Sequence, residues 1–537
     1  MKYIINRMRS LSILQFSVIL AFYFSVVLNA PLINELYQKS HGSIQFLVSA
    51  PLILMSLFVI IFYVVAIPYF RKFFFIILTF TSAIACYAIY KYRIFFDYNM
   101  VANFMQTNLE EANSYLYFHS VIDIIFLGII PCVLIAGVKF KPTSYKRYFL
   151  SLIGSVFVAI LVIGSCYRLF YKDYASVIRN HKYIAKMIVP AHFVQGVRYV
   201  YKTYIKTPLP YQHIGMDAKL MQKQGEKPTL FIFMLGETAR AHNYSYNGYK
   251  RDTTPFTDPL NLIRVPNMAT CGTATAVSVP CMFSRLDRHH YTKEKFLSQD
   301  NVLDIIHRAG VKVIWWDNDG GDKNVVDRIG KREFKSSESK TYCDGTTCQD
   351  GIFVETLDKK MKTMEQNKHP QDTLMVMHLI GSHGPTYYQR YPKKFAHFTP
   401  TCMRSDIENC TDQEITNAYD NSLYYTDFVM KSLIEKLKKL QNKYQVGLMY
   451  MSDHGESLGE NGTYLHGTPY SFAPEEQIHV PWMIWMGKDF MLSRQINETQ
   501  IKKDLSIKTH SQDQIFDTLL KLMQVDTKVF NAKLSLF

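Results

Sequence analysis

Four apolar runs in the later part of this 537-residue chain end alike, in carboxylates or imidazoles set among small residues. Thr229–Leu235 runs into Gly236-Glu237-Thr238, and Val311–Trp316 into Asp317-Asn318-Asp319-Gly320-Gly321. Thr373–Leu379 leads to Ile380-Gly381-Ser382-His383, and Val446–Met451 to Ser452-Asp453-His454-Gly455-Glu456. One polar strand end means little, because turns use Asp and Gly everywhere. Four such ends on one edge suit a metal site, and Glu, Asp and His are donors that fit a catalytic Zn2+. A fifth segment, Cys271-Gly-Thr-Ala-Thr275-Ala-Val-Ser278-Val-Pro-Cys281, sets hydroxyls among small residues between two cysteines. A hydroxyl at a helix N-terminus beside Zn2+ has its alkoxide favoured by both fields, which makes a nucleophile. A Ser/Thr-rich capping turn has the same composition, and spacing does not separate the two readings.

These residues need a scaffold. The four runs, with Val480–Met486, alternate with helical stretches at Asn301–Ala309, Phe353–Asn367 and Ile415–Lys439. Strand–helix alternation predicts a mostly parallel α/β sheet, whose ligands bind beyond the carboxyl ends of the strands.

The first 170 residues read differently. Leu11–Ala30, Phe46–Ile67, Phe73–Ile89, Val121–Val138 and Phe149–Leu169 are each near the ~20 residues that carry a helix across the hydrocarbon. Four later spans favour an uncleaved first span over a signal peptide. With the N-terminus in the cytoplasm, the inner segments hold nine cations: Lys2, Arg7, Arg9, Arg71, Lys72, Lys139, Lys141, Lys146 and Arg147. The outer loops hold three, Lys39, Lys91 and Arg93. That bias fixes the orientation and puts everything after Phe170 outside the cytoplasm. Six cysteines fall there in close pairs, 271/281, 343/348 and 402/410, and read as three disulfides of an oxidising compartment. Tyr171–Pro210 is basic and tyrosine-rich, as expected of short amphipathic helices at the headgroup level or of a solvated linker. The expected domains are thus a five-helix membrane domain at 1–170, a bridge at 171–225 and an extracytoplasmic domain at 226–537.

Composition agrees with that division. A mean hydropathy of −0.05 is the average of an apolar anchor and a polar domain. The net charge of +15 suits an anionic membrane surface as well as it suits nucleic acid.

The motifs Gly236-Glu-Thr-Ala-Arg240, Cys271 to Ser284, Gly381-Ser-His-Gly-Pro385, Ser452-Asp-His-Gly-Glu456 and Leu465-His-Gly-Thr-Pro469 resemble those of lipid A phosphoethanolamine transferases. That group includes the mobilised colistin-resistance enzymes and lies in the alkaline phosphatase/sulfatase superfamily. The resemblance spans nearly the whole chain. It implies an alkaline-phosphatase-like domain and a principal zinc held by Glu237, Thr275, Asp453 and His454, with Thr275 as the nucleophile. It gives His383 and His466 to the phosphate or to a second zinc during turnover, and Lys323 to a phosphate oxygen. Asn103, Thr107 and Glu111 stand at i, i+4 and i+8, one face of a helix, like the polar face with which such enzymes hold the donor's ethanolamine. A helix surface facing water would show the same spacing.

The implied reaction takes phosphoethanolamine from phosphatidylethanolamine to a lipid A phosphate through phospho-Thr275. It releases diacylglycerol and lowers susceptibility to polymyxins. The implied setting is the bacterial inner membrane, with the catalytic domain in the periplasm, a monomer and no nucleic-acid partner. Transfer to a core heptose, or phosphoglycerol transfer of the lipoteichoic acid synthase type, are the rival reactions. An arylsulfatase is disfavoured because Cys-x-Pro-x-Arg does not occur. A transporter is disfavoured by few charges within the spans and no evident internal repeat.

Overall fold

The computed structural model describes residues 10–39, 44–106, 118–180, 182–205, 207, 209–221, 225–405, 407–507 and 509–537. The chain divides into two compact units, Met1–Val101 with Leu116–Lys206, and Ala102–Tyr115 with Thr207–Phe537.

Among the described residues of the first unit, four helical segments are long and apolar enough to cross a membrane: Phe46–Val65, Arg71–Tyr92, Ser120–Gly137 and Tyr145–Phe170. The first expected span differs. Ile13–Leu28 and Ala30–Lys39 meet the criterion only as a pair, bent by 52°. The helix α1 (Ile13–Phe22) loosens into a π-helical turn, Tyr23–Leu28, before α2 (Ala30–Lys39) begins. Asn29 sits at the bend. Its Nδ2 donates to the carbonyls of Phe24 (2.8 Å) and Val189 (2.7 Å), and its Oδ1 accepts the Val189 N–H (3.0 Å). A buried carboxamide must satisfy its donors, and here it does so by tying the first span to the segment after the last one.

That segment is tied to the rest of the unit by further polar contacts. The long helix Tyr145–Asn180 breaks at Phe170 (φ −124°, ψ 17°), where its apolar run ends. Tyr183 donates to Glu35 (2.5 Å), which also pairs with Arg93 (2.8 Å), and Lys186 pairs with Asp97 (3.3 Å). The helix Ala191–Val200 sets Phe193 edge-on to Phe74 and leaves Val194 and Val197 exposed. Lys2, Arg7 and Arg9 of the inner segments lie outside the described residues.

The second unit carries an eight-stranded sheet. Its strands in chain order are β1 (Thr229–Gly236), β2 (Ile263–Ala269), β3 (Lys312–Asp317), β4 (Arg332–Glu333), β5 (Thr373–His378), β6 (Gln445–Ser452), β7 (His479–Met486) and β8 (His510–Ser511). Their order in space is β8-β2-β7-β6-β1-β5-β3-β4. Only β7 runs against its neighbours; the other pairings are parallel. Every residue of β1, β5 and β6 is buried, the unbroken apolar pattern of strands covered on both faces. Register sets the site: Leu235 lies opposite His378 and Met451, Gly236 opposite Ser452, and Asp317 opposite His378. The carboxyl ends of four adjacent strands are therefore level. Disulfides join Cys271 to Cys281, Cys343 to Cys348 and Cys402 to Cys410.

Candidate metal and nucleophile site

Glu237 follows β1 directly and is fully buried, as are Asp453 and His454 after β6. Thr275 opens the helix Thr275–Phe283, with Ala274 at its N-cap. The turn before it is held on several sides. Thr273 Oγ1 donates to the Thr468 carbonyl (2.6 Å), and Gln512 Oε1 accepts from the Cys271 N–H (2.7 Å) and from Ser278 Oγ (2.6 Å). Gln512 Nε2 in turn donates to the Asp453 carbonyl (2.7 Å). Thr273 and Ser278 are thus spent on the scaffold.

Thr275 is not. Its Oγ1 lies 3.2 Å and 3.4 Å from the two Glu237 oxygens and 3.3 Å from His454 Nε2. His454 Nε2 lies 3.4 Å from Glu237 Oε1 and 3.2 Å from Asp453 Oδ2. A tetrahedral ion with bonds of about 2.0 Å has ligand–ligand edges of about 3.3 Å. The donor chemistry fits as well. His454 Nδ1 donates to the Gly455 carbonyl (2.9 Å), which turns the Nε2 lone pair inward. Asp453 Oδ1 accepts the N–H of His454 (2.7 Å), while Oδ2 is buried with no hydrogen-bond partner. Burial, with Asp453 and Asp319 close by, pushes the Glu237 carboxyl well above its ordinary range. Burial draws His454 down to about 4, so the imidazole is neutral, as a ligand must be. Two carboxylates crowded in a dry pocket call for a cation.

The approach of the β5 loop requires glycine. Gly381 has φ +50°, and a Cβ there would meet the Glu237 backbone oxygen at 2.6 Å. Just beyond, the His383 and His466 rings stand 5.7 Å apart, and His466 lies 4.5 Å from the His454 ring.

Two families match this chain. The one described as phosphoethanolamine transferase EptA/EptB covers residues 54–204, and sulfatase covers 229–525. Phosphoethanolamine transferase EptA of Escherichia coli K12 is 38% identical over 97% of this chain and 96% of its own length. This chain belongs to the phosphoethanolamine transferases. Phosphatidylethanolamine transferase Mcr-1 of Escherichia coli is 36% identical over 84% of this chain and 83% of its own. The integral membrane lipooligosaccharide phosphoethanolamine transferase A of Neisseria meningitidis superposes with a TM-score of 0.93 at 33% identity, covering 98% of this chain and 99% of that one. This transferase is accordingly a membrane protein whose catalytic unit has the alkaline phosphatase/sulfatase fold.

The structure of the transferase brings Glu237, Thr275, Asp453 and His454 into one cluster, with His466 and His383 beside it. Lys323, at φ +51° in the loop after β3, is near enough for its charge to act on Glu237. Asn103 is buried on the helix Tyr98–Gln106, whereas Thr107 and Glu111 lie outside the described residues.

Two supporting residues were given no role by the sequence. Glu456 is fully buried, accepting from Tyr387 OH (2.7 Å) and holding His466 Nδ1 (2.9 Å). Its place two residues after His454 was a usable signal. Gln512 had none, since its partners lie some 60 to 240 positions earlier.

Proposed function

We propose that this transferase moves phosphoethanolamine from phosphatidylethanolamine to a lipid A phosphate by way of phospho-Thr275. The observation that carries the reading is the Thr275 hydroxyl within 3.4 Å of both Glu237 and His454 at a helix N-terminus. Glu237, Thr275, Asp453 and His454 would hold zinc, which when bound would lower the pKa of the hydroxyl and polarise the phosphoryl group.

With its hydroxyl proton already released, Thr275 Oγ attacks phosphorus in line, the bond from phosphorus to the glycerol oxygen breaks, and diacylglycerol leaves with a proton. His466, oriented by Glu456, delivers that proton, and His383 and Lys323 steady the phosphoryl oxygens. A second zinc during turnover would take one or both of these histidines. A lipid A phosphate oxygen, giving its proton to His466, then attacks phospho-Thr275, and the bond from phosphorus to Oγ breaks to return the Thr275 alkoxide. Splitting the transfer lets one site serve two bulky lipids in turn. Asn103, Thr107 and Glu111 hold the donor's ammonium.

The membrane helices at 1–170 and the bridge at 171–225 keep the catalytic domain at 226–537 on the periplasmic face of the inner membrane, where both lipids are in reach. The product's added ammonium weakens binding of cationic polymyxins.

The test uses the full chain in vesicles of labelled phosphatidylethanolamine. Diacylglycerol release and a phosphoethanolamine adduct on the Thr275 peptide are expected, both lost on rigorous chelation. Undiminished release by Thr275→Ala overturns the nucleophile. Mass spectrometry of lipid A from expressing cells reads the acceptor; ethanolamine on core heptose alone, or added glycerol, replaces the assignment.

A further inference from the structure

We propose a second divalent-cation site, formed by Glu237, Asp319 and His378 at the ends of the adjacent strands β1, β3 and β5. It goes beyond the proposed reaction and shares only Glu237 with it. It is also distinct from any ion at His383 and His466.

One donor atom from each of the three residues lies within 4.8 Å of the other two, and all three are buried. His378 is fully buried and is aimed by its far nitrogen. Its Nδ1 donates to Asp317 Oδ2 (3.2 Å), which also accepts Trp315 Nε1–H (2.9 Å). Asp317 Oδ1 accepts the N–H groups of Asp319 (3.0 Å) and Gly321 (2.9 Å). Asp317 is therefore fully engaged, and in the neutral imidazole its hydrogen bond selects the tautomer whose Nε2 lone pair is available to an ion. That Nε2 has no hydrogen-bond partner, although it is 0% exposed. A buried polar atom left so is costly unless something else satisfies it.

Asp319 Oδ2 is 3.6 Å from Nε2, too far for a hydrogen bond. It is a fair edge for two ligands about 2.1 Å from one ion. The chain Asp317–His378–ion is the carboxylate–histidine–metal arrangement by which proteins orient a ligating imidazole. One nitrogen and two carboxylates suit a borderline divalent ion, Zn2+ or Mn2+. Bound there, the ion would fix Glu237 from a second direction and clamp the loop that carries Lys323.

The test counts ions. The full chain in detergent is stripped with a chelator, reloaded with Zn2+ or Mn2+ and desalted. Metal per chain is then measured by mass spectrometry, and Mn2+ binding by electron paramagnetic resonance. His378→Asn keeps a donor toward Asp317 and removes Nε2; Asp319→Asn removes the carboxylate charge and serves if the first variant misfolds. Each is expected to bind one ion fewer than the wild type and to lose that ion's Mn2+ signal. Asp453→Asn is expected to keep this ion and lose the other, and His383→Ala with His466→Ala to keep it. Equal counts and spectra for wild type, His378→Asn and Asp319→Asn overturn the site and mark His378 as a cation-free strut. A loss in Asp453→Asn alone leaves the principal site standing and this one refuted. A loss in the His378 and Asp319 variants alone does the reverse.

Discussion

The two units solve opposite problems with similar residues. In the catalytic unit, β1 and β6 bury all eight of their residues each inside protein. In the membrane unit, only 11% of the most apolar window of Tyr145–Phe170 is buried, and Ile153, Phe157 and Ile160 point outward. Lipid completes the solvation of that helix, so its apolar surface needs no protein partner. The catalytic unit must make its own dry interior, and dryness gives the polar groups placed there their leverage. In low dielectric, Glu237 and Asp453 demand a cation, and Asp317 and Glu456 fix the imidazoles they touch. The membrane unit spends its buried polar groups differently, on ties such as Asn29 to Val189 and Glu35 to Arg93 and Tyr183.

The contrast can be broken most severely at the proposed nucleophile. Thr275→Ala is expected to lower diacylglycerol release by about 10⁴-fold while the circular dichroism of the membrane helices stays unchanged. Residual turnover within tenfold of wild type would move catalysis elsewhere. A smaller but still large effect is expected in the sheet. Phe231 is fully buried and stacked on Phe490 at 5.5 Å, so Phe231→Ala should cost about 3–5 kcal/mol. All four tryptophans, Trp315, Trp316, Trp482 and Trp485, lie in the catalytic unit, so thermal unfolding followed by their fluorescence reads this unit alone.

Glu456→Gln comes next. It leaves His466 with a weaker acceptor and should lower kcat by about 10–100-fold with metal content unchanged. Lost metal instead would make Glu456 part of the ion's own support. The smallest effect sharpens the comparison most. Ile153 is 64% exposed in the membrane unit, and Ile153→Ala should shift stability by no more than about 0.5 kcal/mol, read from the helical signal in lipid. A shift of several kcal/mol would mean that protein rather than lipid covers that face.

Much of this was legible in the chain. The apolar lengths of four spans, the strand-to-turn transitions after Leu235, Trp316, Leu379 and Met451, and the paired cysteines are local signals. Each reports a physical demand that one segment makes alone: thickness of hydrocarbon, alternation of layers, or closeness of two thiols. The first apolar run was legible too, but not the bend that follows it, where Asn29 meets Val189, 160 residues on. His378 read as the end of a strand, because nothing near it in sequence shows that Asp317 and Asp319 stand beside it.

The sequence by itself determined which residues carry chemistry and which solvent each third of the chain must meet, because residue type and hydropathy are properties of short segments. Only the tertiary structure decided that Thr275, rather than Thr273 or Ser278, faces Glu237 and His454. That choice depends on strand order and register, which bring together groups some 40 to 240 residues apart. No local pattern encodes those pairings, since they are selected by burial of the whole sheet at once.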